Sequence, residues 1–198
     1  MSLKKLTDSI HKRAEQMPWA QHMLSGNMTN RQYGQYLYNQ LQIYSALENR
    51  AAELRLFIDH PVLEKIRRVM PITHDLRHYK YHTGLESTTL KYIDYISTAS
   101  LQDVLAHIYV RHFGDMHGGQ IIKSKLPDPM QLEAFTDDSD NIIPTLEHMY
   151  TNLYIFEDKY ELIKYVRSLL TLEMADEAIL CFQFAIDLFS DLEKHFDL

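Results

Sequence analysis

Hydrophobic residues recur along most of the chain at steps of three, four and seven, which places them on one face of an α-helix. The pattern predicts an amphipathic helix over 3–17, closed by Pro18, and a long helix over 30–56 that begins at the capping box Thr29–Gln32. A short helix is predicted to begin at Pro61 and end at Pro71, and a further helical run to stop near Gly84. Another helix is predicted from the cap Ser100 to a glycine cluster. The remaining predicted helices cover 87–97, 157–170 and 172–196. Six glycines and six prolines are few breakers for 198 residues, so the fold class is predicted to be all-α.

The length and composition predict a single domain over 1–198. The chain is 45% hydrophobic and 24% charged, values close to those of globular proteins, and its composition does not shift along its length. One long loop is expected over 126–145, where three prolines accompany the acidic run 137–140.

Charge and cysteine content restrict the partners and the compartment. A net charge of −7 argues against nucleic-acid binding, which needs a basic face. The single cysteine, Cys181, cannot form an intrachain disulfide, and its apolar neighbours predict a buried side chain. The first residues lack the apolar core of a signal peptide, and the longest apolar stretch, 178–189, is too short to span a membrane. We therefore expect a soluble cytoplasmic protein without a membrane anchor.

Three of the six glycines, Gly114, Gly118 and Gly119, fall within six residues of a predicted helix. A glycine inside a helix costs about 1 kcal/mol relative to alanine, so the cluster needs a compensating reason, such as close approach of a flat or bulky ligand. A polar stripe leads to the cluster at steps of four, four and three: His107, Arg111, Asp115 and Gly118. The stripe is either the wall of a binding site or a solvated face at a helix end.

Four segments resemble the haem oxygenase family. They are a distal-helix segment His107–Gln120 with the core Gly-Asp-x-x-Gly-Gly-Gln, a proximal-histidine segment His11–Glu15, a second-helix segment Ile43–Glu48, and the last-helix residues Phe182 and Ile186–Phe189. The motifs occur in the family's order. The resemblance implies a multi-helical bundle that holds haem between a proximal and a kinked distal helix. It also implies oxidative cleavage of haem b, as substrate and cofactor, by O2 and electrons from an external reductant, giving biliverdin, CO and Fe2+.

The resemblance also implies roles for individual residues. His11 is the expected axial ligand of the haem iron, with Glu15 holding its other ring nitrogen and Phe182 lining the haem. The glycines of the cluster, Gly114, Gly118 and Gly119, are expected to bring bare backbone against the haem face. Their kink would steer oxygen towards one meso carbon.

Asp115 is the expected catalytic residue, because an ordered carboxyl group can align the water molecules that supply protons during oxygen activation. Tyr44, Tyr109 and Arg111 are implied to complete its hydrogen-bond network. The resemblance implies basic residues at the haem propionates, for which Lys4, Lys164 and Arg167 are candidates. The segment 165–174 departs from the family pattern, and His117 replaces a small hydroxyl residue, so propionate contacts and regiochemistry stay open.

Other functions remain as alternatives. A haem-binding or haem-sensing module on the same fold would gain nothing from Asp115. A thiaminase-like enzyme would need a nucleophilic cysteine in an electropositive cleft, whereas Cys181 sits among apolar residues. A di-iron bundle would need paired Glu-x-x-His motifs, which the sequence lacks.

Three clusters outside these motifs have two interpretations each. His74, His78 and His82 stand four residues apart and could hold zinc or copper, but no further ligand completes a set. The basic clusters Lys65–Arg68 and Lys123–Lys125 are typical of solvated faces. The second follows the distal segment directly and could dock an acidic electron donor such as ferredoxin. A monomer is expected.

Overall fold

Helices form nearly all of the regular structure in the computed structural model, which describes residues 2–79, 81–126 and 151–198. Its α-helices are α1 Leu3–Glu15, α2 Pro18–Ser25, α3 Asn30–Glu53, α4 Leu56–Asp59, α5 Val69–Asp75, α6 Ser87–Ser97, α7 Leu101–His117, α8 Gly119–Lys123, α9 Lys159–Leu169 and α10 Ala175–Phe196. Short 3-10 helices cover Pro61–Ile66, Asn152–Tyr154 and Leu172–Met174. These described ranges contain no strand, and the predicted all-α class is confirmed.

α2, which follows α1 near the N-terminus, was not predicted from the sequence. α1 ends at Glu15, two residues before the predicted end, and Pro18 then opens α2. Proline suits this first position because its missing N–H would have no partner within the helix. Pro18 therefore both follows one helix and starts the next.

Capping residues set two helix starts as predicted. At α3, Gln32 N donates to Thr29 Oγ1 at 3.2 Å and Thr29 N donates to Gln32 Oε1 at 2.8 Å, which completes the capping box. α7 starts in the same way at Ser100, with Asp103 as the reciprocal partner. α6 matches its predicted range 87–97.

The region around Pro71 differs from the prediction. Pro71 does not end a helix but lies third in α5, where an amide donor would be unpaired in any case. α5 stops at Asp75, so the predicted helical run to Gly84 is wrong. Earlier in the chain, the long helix predicted over 30–56 ends at Glu53, and α4 follows as a separate turn.

The glycine cluster ends the central helix close to the predicted place. α7 runs to His117 and α8 begins at Gly119, so Gly118 alone separates them. Its φ of −74° and ψ of −32° remain helical, and its N–H donates to Gly114 O at 2.8 Å. Gly118 thus keeps a helical hydrogen bond and a right-handed backbone conformation where α7 ends and α8 follows.

α10 and α7 form the centre of the bundle. α10 packs against α1, α2, α6 and α7; α3 packs against α5, α6 and α7; and α7 also packs against α9. The core includes the fully buried side chains Trp19, Leu37, Ile43, Leu47, Val104, Ala106, Ala178 and Leu192. Because α1 and α7 both lie on α10, residues of the proximal and distal motifs can face a common space.

The C-terminal helices start slightly later than predicted. The ranges predicted over 157–170 and 172–196 correspond to α9 and to the third 3-10 helix followed by α10. The predicted loop over 126–145 lies outside the described residues, apart from residue 126. None of the helices in the described parts of the chain has both the length and the apolar character needed to span a bilayer.

Candidate functional site

The His11 side chain of α1 is half exposed and held from two sides. Its exposed fraction is 49%, and its Nδ1 lies 3.6 Å from Glu15 Oε2. The Phe182 ring of α10 meets the imidazole edge to face, with ring centroids 5.5 Å apart. None of the described residues hydrogen-bonds His11 Nε2. The imidazole is therefore oriented, with one ring nitrogen available for a ligand.

The three glycines of the cluster face different surroundings. A Cβ built on Gly114 would meet no atom within 4 Å, so the exposed backbone there borders open space. On Gly118 a Cβ would lie 3.2 Å from Gly114 O, and on Gly119 it would lie 2.3 Å from Cδ1 of the buried Tyr154. Gly114 thus leaves room for a flat ligand, whereas Gly119 leaves room for Tyr154.

Asp115 follows Gly114 directly and pairs with Tyr44 of α3. The Tyr44 hydroxyl, which is buried, donates a hydrogen bond to Asp115 Oδ2. Burial raises the pKa of Asp115 to about 6, while the Tyr44 hydrogen bond and the charges of Arg68 and Arg111 limit the rise. A carboxyl group with a pKa near neutrality can both hold and release a proton at physiological pH.

Arg111 lies one turn before Asp115 on the same helix face. Its guanidinium stacks 4.5 Å over the Tyr92 ring, and its Nη1 lies 3.5 Å from Gln40 Oε1. Its Nε and Nη2 are buried and make no hydrogen bond to a described residue. Buried donors of this kind are satisfied by ordered water, so Arg111 and Asp115 suit a water-filled polar site.

Tyr109 lies apart from the Asp115 pair, contrary to the expectation that it completes that network. It approaches Thr7 of α1 and Arg167 of α9, and its ring centroid is 5.0 Å from that of Phe113. The reason is helical geometry: six residues at about 100° each place Tyr109 and Asp115 on different faces of α7. Tyr109 therefore lies near α1 and α9.

The basic residues predicted for propionates divide between two places. The Arg167 guanidinium lies 5.6 Å from the Phe113 ring, beside Tyr109. Lys4 is exposed on α1, three residues before Thr7. Lys164 instead lines a surface pocket together with Glu161, Tyr165 and Ser168. Lys4 and Arg167 thus lie on the two helices that approach Tyr109.

The family model described as Heme oxygenase matches residues 1–179. The chain belongs to the haem oxygenase family. This confirms the resemblance drawn from the four motifs.

Over the aligned residues, relatives within the haem oxygenase family are 27–30% identical to this chain. Heme oxygenase from Takifugu rubripes is 28% identical over 209 residues, covering 97% of this chain and 73% of the relative. Heme oxygenase 1 from Synechocystis is 27% identical over 143 residues, covering 66% and 58%, and heme oxygenase from Rhodella violacea is 30% identical over 148 residues, covering 68% and 61%. The matches to the last two span only about three fifths of those proteins.

Solved haem oxygenase structures have the same fold. The crystal structure of heme oxygenase-1 from Synechocystis in complex with heme covers 98% of this chain and 92% of its own, with a TM-score of 0.76 and 23% identity. Heme oxygenase from Leptospira interrogans covers 96% and 99%, with a TM-score of 0.74 and 20% identity. At these identities the likeness shows the fold.

The polar stripe of this haem oxygenase family member is not a solvated face, because none of its four residues is exposed: His107 is buried, and Arg111, Asp115 and Gly118 are half-buried. His107 is fully buried, with Nδ1 2.9 Å from Tyr92 Oη and Nε2 2.8 Å from Glu177 Oε1. The carboxylate of Glu177 also accepts a hydrogen bond from Tyr95 Oη at 2.7 Å. His107 therefore ties α7 to α6 and α10 rather than facing the open space at Gly114.

Cys181 is fully buried, as predicted, but its surroundings are not purely apolar. Burial raises the pKa of its thiol, and the adjacent His107 and Arg111 more than offset that effect, so the net shift is downward. A side chain with no exposed surface offers a substrate no access. Burial, rather than apolar neighbours alone, disfavours a thiaminase-like role.

Three residues near Asp115 escaped the sequence analysis: Arg68, Tyr36 and Tyr154. Arg68 was expected on a solvated face, yet it is buried, and its Nη1 donates to Ile155 O at 2.6 Å. No local pattern distinguishes it from its exposed neighbour Arg67. Its burial comes from a contact with a segment more than eighty residues away.

Two of the three histidines spaced four apart contact protein side chains. His82 stacks on Tyr38 with ring centroids 3.9 Å apart, and His74 Nδ1 lies 3.0 Å from Asn152 Nδ2. Across the described residues, no three metal-ligating side chains converge on one point. The zinc or copper alternative gains no geometric support.

Proposed function

We propose that this chain is a haem oxygenase that binds haem b as substrate and cofactor and cleaves it to biliverdin, CO and Fe2+. O2 and electrons from an external reductant complete the reaction. One observation carries the proposal: the carboxyl group of Asp115, paired with Tyr44, stands directly beside the open backbone at Gly114. Membership of the family supports the same reaction.

The residues present fit a haem group. His11 Nε2 is the proposed axial ligand, and Glu15, 3.6 Å from Nδ1, orients the ring and increases its donor strength. The Phe182 ring stabilises that orientation from α10. On the opposite side, Gly114 allows the porphyrin plane to approach α7, because no side chain occupies that space.

The bound haem supplies the iron at which O2 is activated. The residues of this chain supply protons to that reaction. Asp115, with a pKa of about 6 raised by burial, carries a proton on roughly a tenth of molecules at pH 7 and exchanges it readily with water. Tyr44 fixes the carboxyl orientation, and the buried Nε and Nη2 of Arg111 would donate to a water molecule that links Asp115 to the site.

Propionate binding is proposed at the edge formed by α1, α7 and α9. Lys4 of α1 and Arg167 of α9 are the proposed cations, and Tyr109, which approaches Thr7 and Arg167, adds a hydroxyl group. Lys164 remains a weaker candidate because it lines a separate surface pocket. Gly118 and Gly119 are proposed to act through the helix junction, Gly119 by admitting the Tyr154 ring.

The remaining proposals concern partners and location. Lys123 and Lys125 follow the glycine junction directly and are proposed to dock ferredoxin or another small acidic electron carrier. A single cysteine, which cannot form an intrachain disulfide, supports a reducing cytoplasmic location. We propose one domain that acts as a monomer.

The test is a single turnover of the haem complex with ascorbate under air, followed by absorption. The proposal expects the Soret band to fall while a biliverdin band rises and CO is released. A Soret band that persists through repeated reductant additions would establish the non-catalytic haem-binding module instead.

A further inference from the structure

Asp75, the last residue of α5, is a buried carboxylate bonded to three N–H donors of one turn. Its exposed fraction is 0%. Oδ1 accepts hydrogen bonds from Asn152 N at 2.9 Å and from Asn152 Nδ2 at 2.7 Å, and Oδ2 accepts one from Leu153 N at 2.9 Å. Burying a carboxylate is costly unless such donors satisfy it, so this geometry fixes the 3-10 turn Asn152–Tyr154 against α5.

The same turn contacts the glycine junction from its other side. The fully buried ring of Tyr154 occupies the position that a Cβ on Gly119 would need. The Tyr154 carbonyl accepts a hydrogen bond from Gln120 Nε2 at 2.8 Å. Ring and backbone therefore both contact the first turn of α8.

Arg68 anchors the far end of the turn. Its Nη1 donates to Ile155 O at 2.6 Å, and its guanidinium lies 3.9 Å from the Phe156 ring. Arg68 and Tyr154 both lie near Asp115. The turn thus connects α5 to the end of α7 that carries the proposed proton carrier.

We propose that Asp75 is a positioning residue for the distal site, which it serves by clamping the turn Asn152–Tyr154 so that Tyr154 is held against Gly119. The clamp sets the place of the Gly118–Gly119 backbone and, one turn earlier, of Asp115. Its consequence for catalysis rests on the proposed function; the clamp itself does not. Asp75 has no role in contact with the substrate.

The first test is amide hydrogen exchange of the haem-free chain over residues 1–198. Asp75→Asn replaces one acceptor oxygen with a donor that opposes the turn, so amides of Gly118–Gln120 and Leu153 are expected to exchange about tenfold faster or more. The matched control is Asp94→Asn, an exposed aspartate of α6 that should leave those amides unchanged. Unchanged exchange at the junction in Asp75→Asn would overturn the proposal.

A second variant keeps the test decisive if Asp75→Asn does not fold. Asn152→Ala removes the side-chain donor to Asp75 Oδ1, together with its contact to His74 Nδ1, and leaves both main-chain bonds to Asp75 in place. It should accelerate exchange at the same amides by a smaller factor, about twofold to fivefold. No acceleration there would contradict the clamp.

A double-mutant cycle tests whether Asp75 acts through Tyr154. Gly119→Ala alone forces a Cβ against the clamped Tyr154 ring. The midpoint temperature of thermal unfolding should therefore fall by several degrees relative to the unmodified chain. In a chain that also carries Asp75→Asn or Asn152→Ala, the ring can retreat, and the further loss should be clearly smaller. Strictly additive losses would show that Asp75 and Gly119 are independent and would overturn the mechanism.

Turnover separates this inference from the proposed function. With haem, ascorbate and air, Asp75→Asn should change the biliverdin isomer ratio while haem affinity stays within about twofold of the Asp94→Asn control. If the unmodified chain produces no biliverdin, the proposed function fails, while the exchange result still decides the clamp. If it produces biliverdin and Asp75→Asn gives the same isomers, the catalytic consequence is refuted.

Discussion

Tyr44 on α3 donates its hydroxyl hydrogen bond to Asp115 on α7, joining two helices that pack side by side. The Tyr44 ring also meets His112 edge to face, 5.1 Å between centroids. Burial and the charge of Arg68 lower the pKa of His112 to about 3, so this histidine stays neutral. The acceptor for Tyr44 is the carboxyl group of Asp115, and this bond joins α3 to α7 together with the contact between Arg111 Nη1 and Gln40 Oε1.

Asp115→Ala should lower the rate of biliverdin formation by about 10²-fold or more, because it removes the proposed proton carrier. Haem affinity should stay within a few-fold, since Asp115 is not proposed to bind the iron or the propionates. Tyr44→Phe keeps the carboxyl group and loses only its orienting hydrogen bond, so a smaller loss, about tenfold, is expected. Stopped-flow absorption of the haem complexes measures both. A full biliverdin rate in Asp115→Ala would refute the proton-carrier role.

The pKa of Asp115 predicts a pH-dependent stability. Burial raises that pKa from 3.8 to about 6, so the folded chain binds this proton more tightly than the unfolded chain. The stability that the group contributes is complete below pH 3.8 and is lost as the pH rises through 6. At pH 8 the free energy of unfolding of Asp115→Asn should therefore exceed that of the unmodified chain by about 2 kcal/mol. At pH 4 the two free energies of unfolding should be nearly equal.

Urea unfolding of the two haem-free chains between pH 4 and pH 8 measures this difference. If the difference in free energy of unfolding between the two chains did not change with pH, the pKa of Asp115 would not be raised in the folded chain. Asp94→Asn, on the exposed side of α6, provides the baseline for replacing an aspartate.

His11→Ala should remove the axial imidazole and with it the histidine-ligated spectrum of the ferric complex. Added imidazole should restore that spectrum, because the substitution leaves a cavity where the ring stood. His82→Ala is the control, since His82 is an exposed histidine that stacks on Tyr38. An unchanged spectrum in His11→Ala would assign the ligand to another residue.

Arg167→Ala should weaken haem binding more than Lys164→Ala does. Arg167 lies near Tyr109 and the α1–α7 edge, whereas Lys164 lines the pocket at Ser168. Loss of one partly solvated charge contact corresponds to about threefold to tenfold in Kd at low salt, and the difference should shrink as salt increases. Haem titrations at two ionic strengths measure the ranking, which the reverse order would contradict.

Local chemistry made much of the fold predictable. Thr29 and Ser100 marked helix starts because each supplies a capping oxygen and has its reciprocal partner three residues later. Pro71 misled because proline both stops a helix and fits its first turn, and only packing decides which. The separate helix after Pro18 was missed for the same reason.

Short sequence motifs supplied the proposed site residues His11, Gly114 and Asp115, whose roles towards haem stay predictions. Of the contacts that the resemblance implied, the hydrogen bond between Tyr44 and Asp115 is present in the structure. The resemblance implied Tyr109 as a partner of Asp115, but their six-residue separation along α7 places the two side chains on different helix faces. Arg68 was missed because its burial depends on a distant segment.

We propose that haem lies between the His11 imidazole of α1 and the bare backbone at Gly114 of α7. A crystal structure of the haem complex would show this arrangement. We expect iron bonded to His11 Nε2, with the opposite porphyrin face against Gly114 and with Asp115 on that distal side. Iron bonded to a different residue, or haem bound away from Gly114, would contradict it.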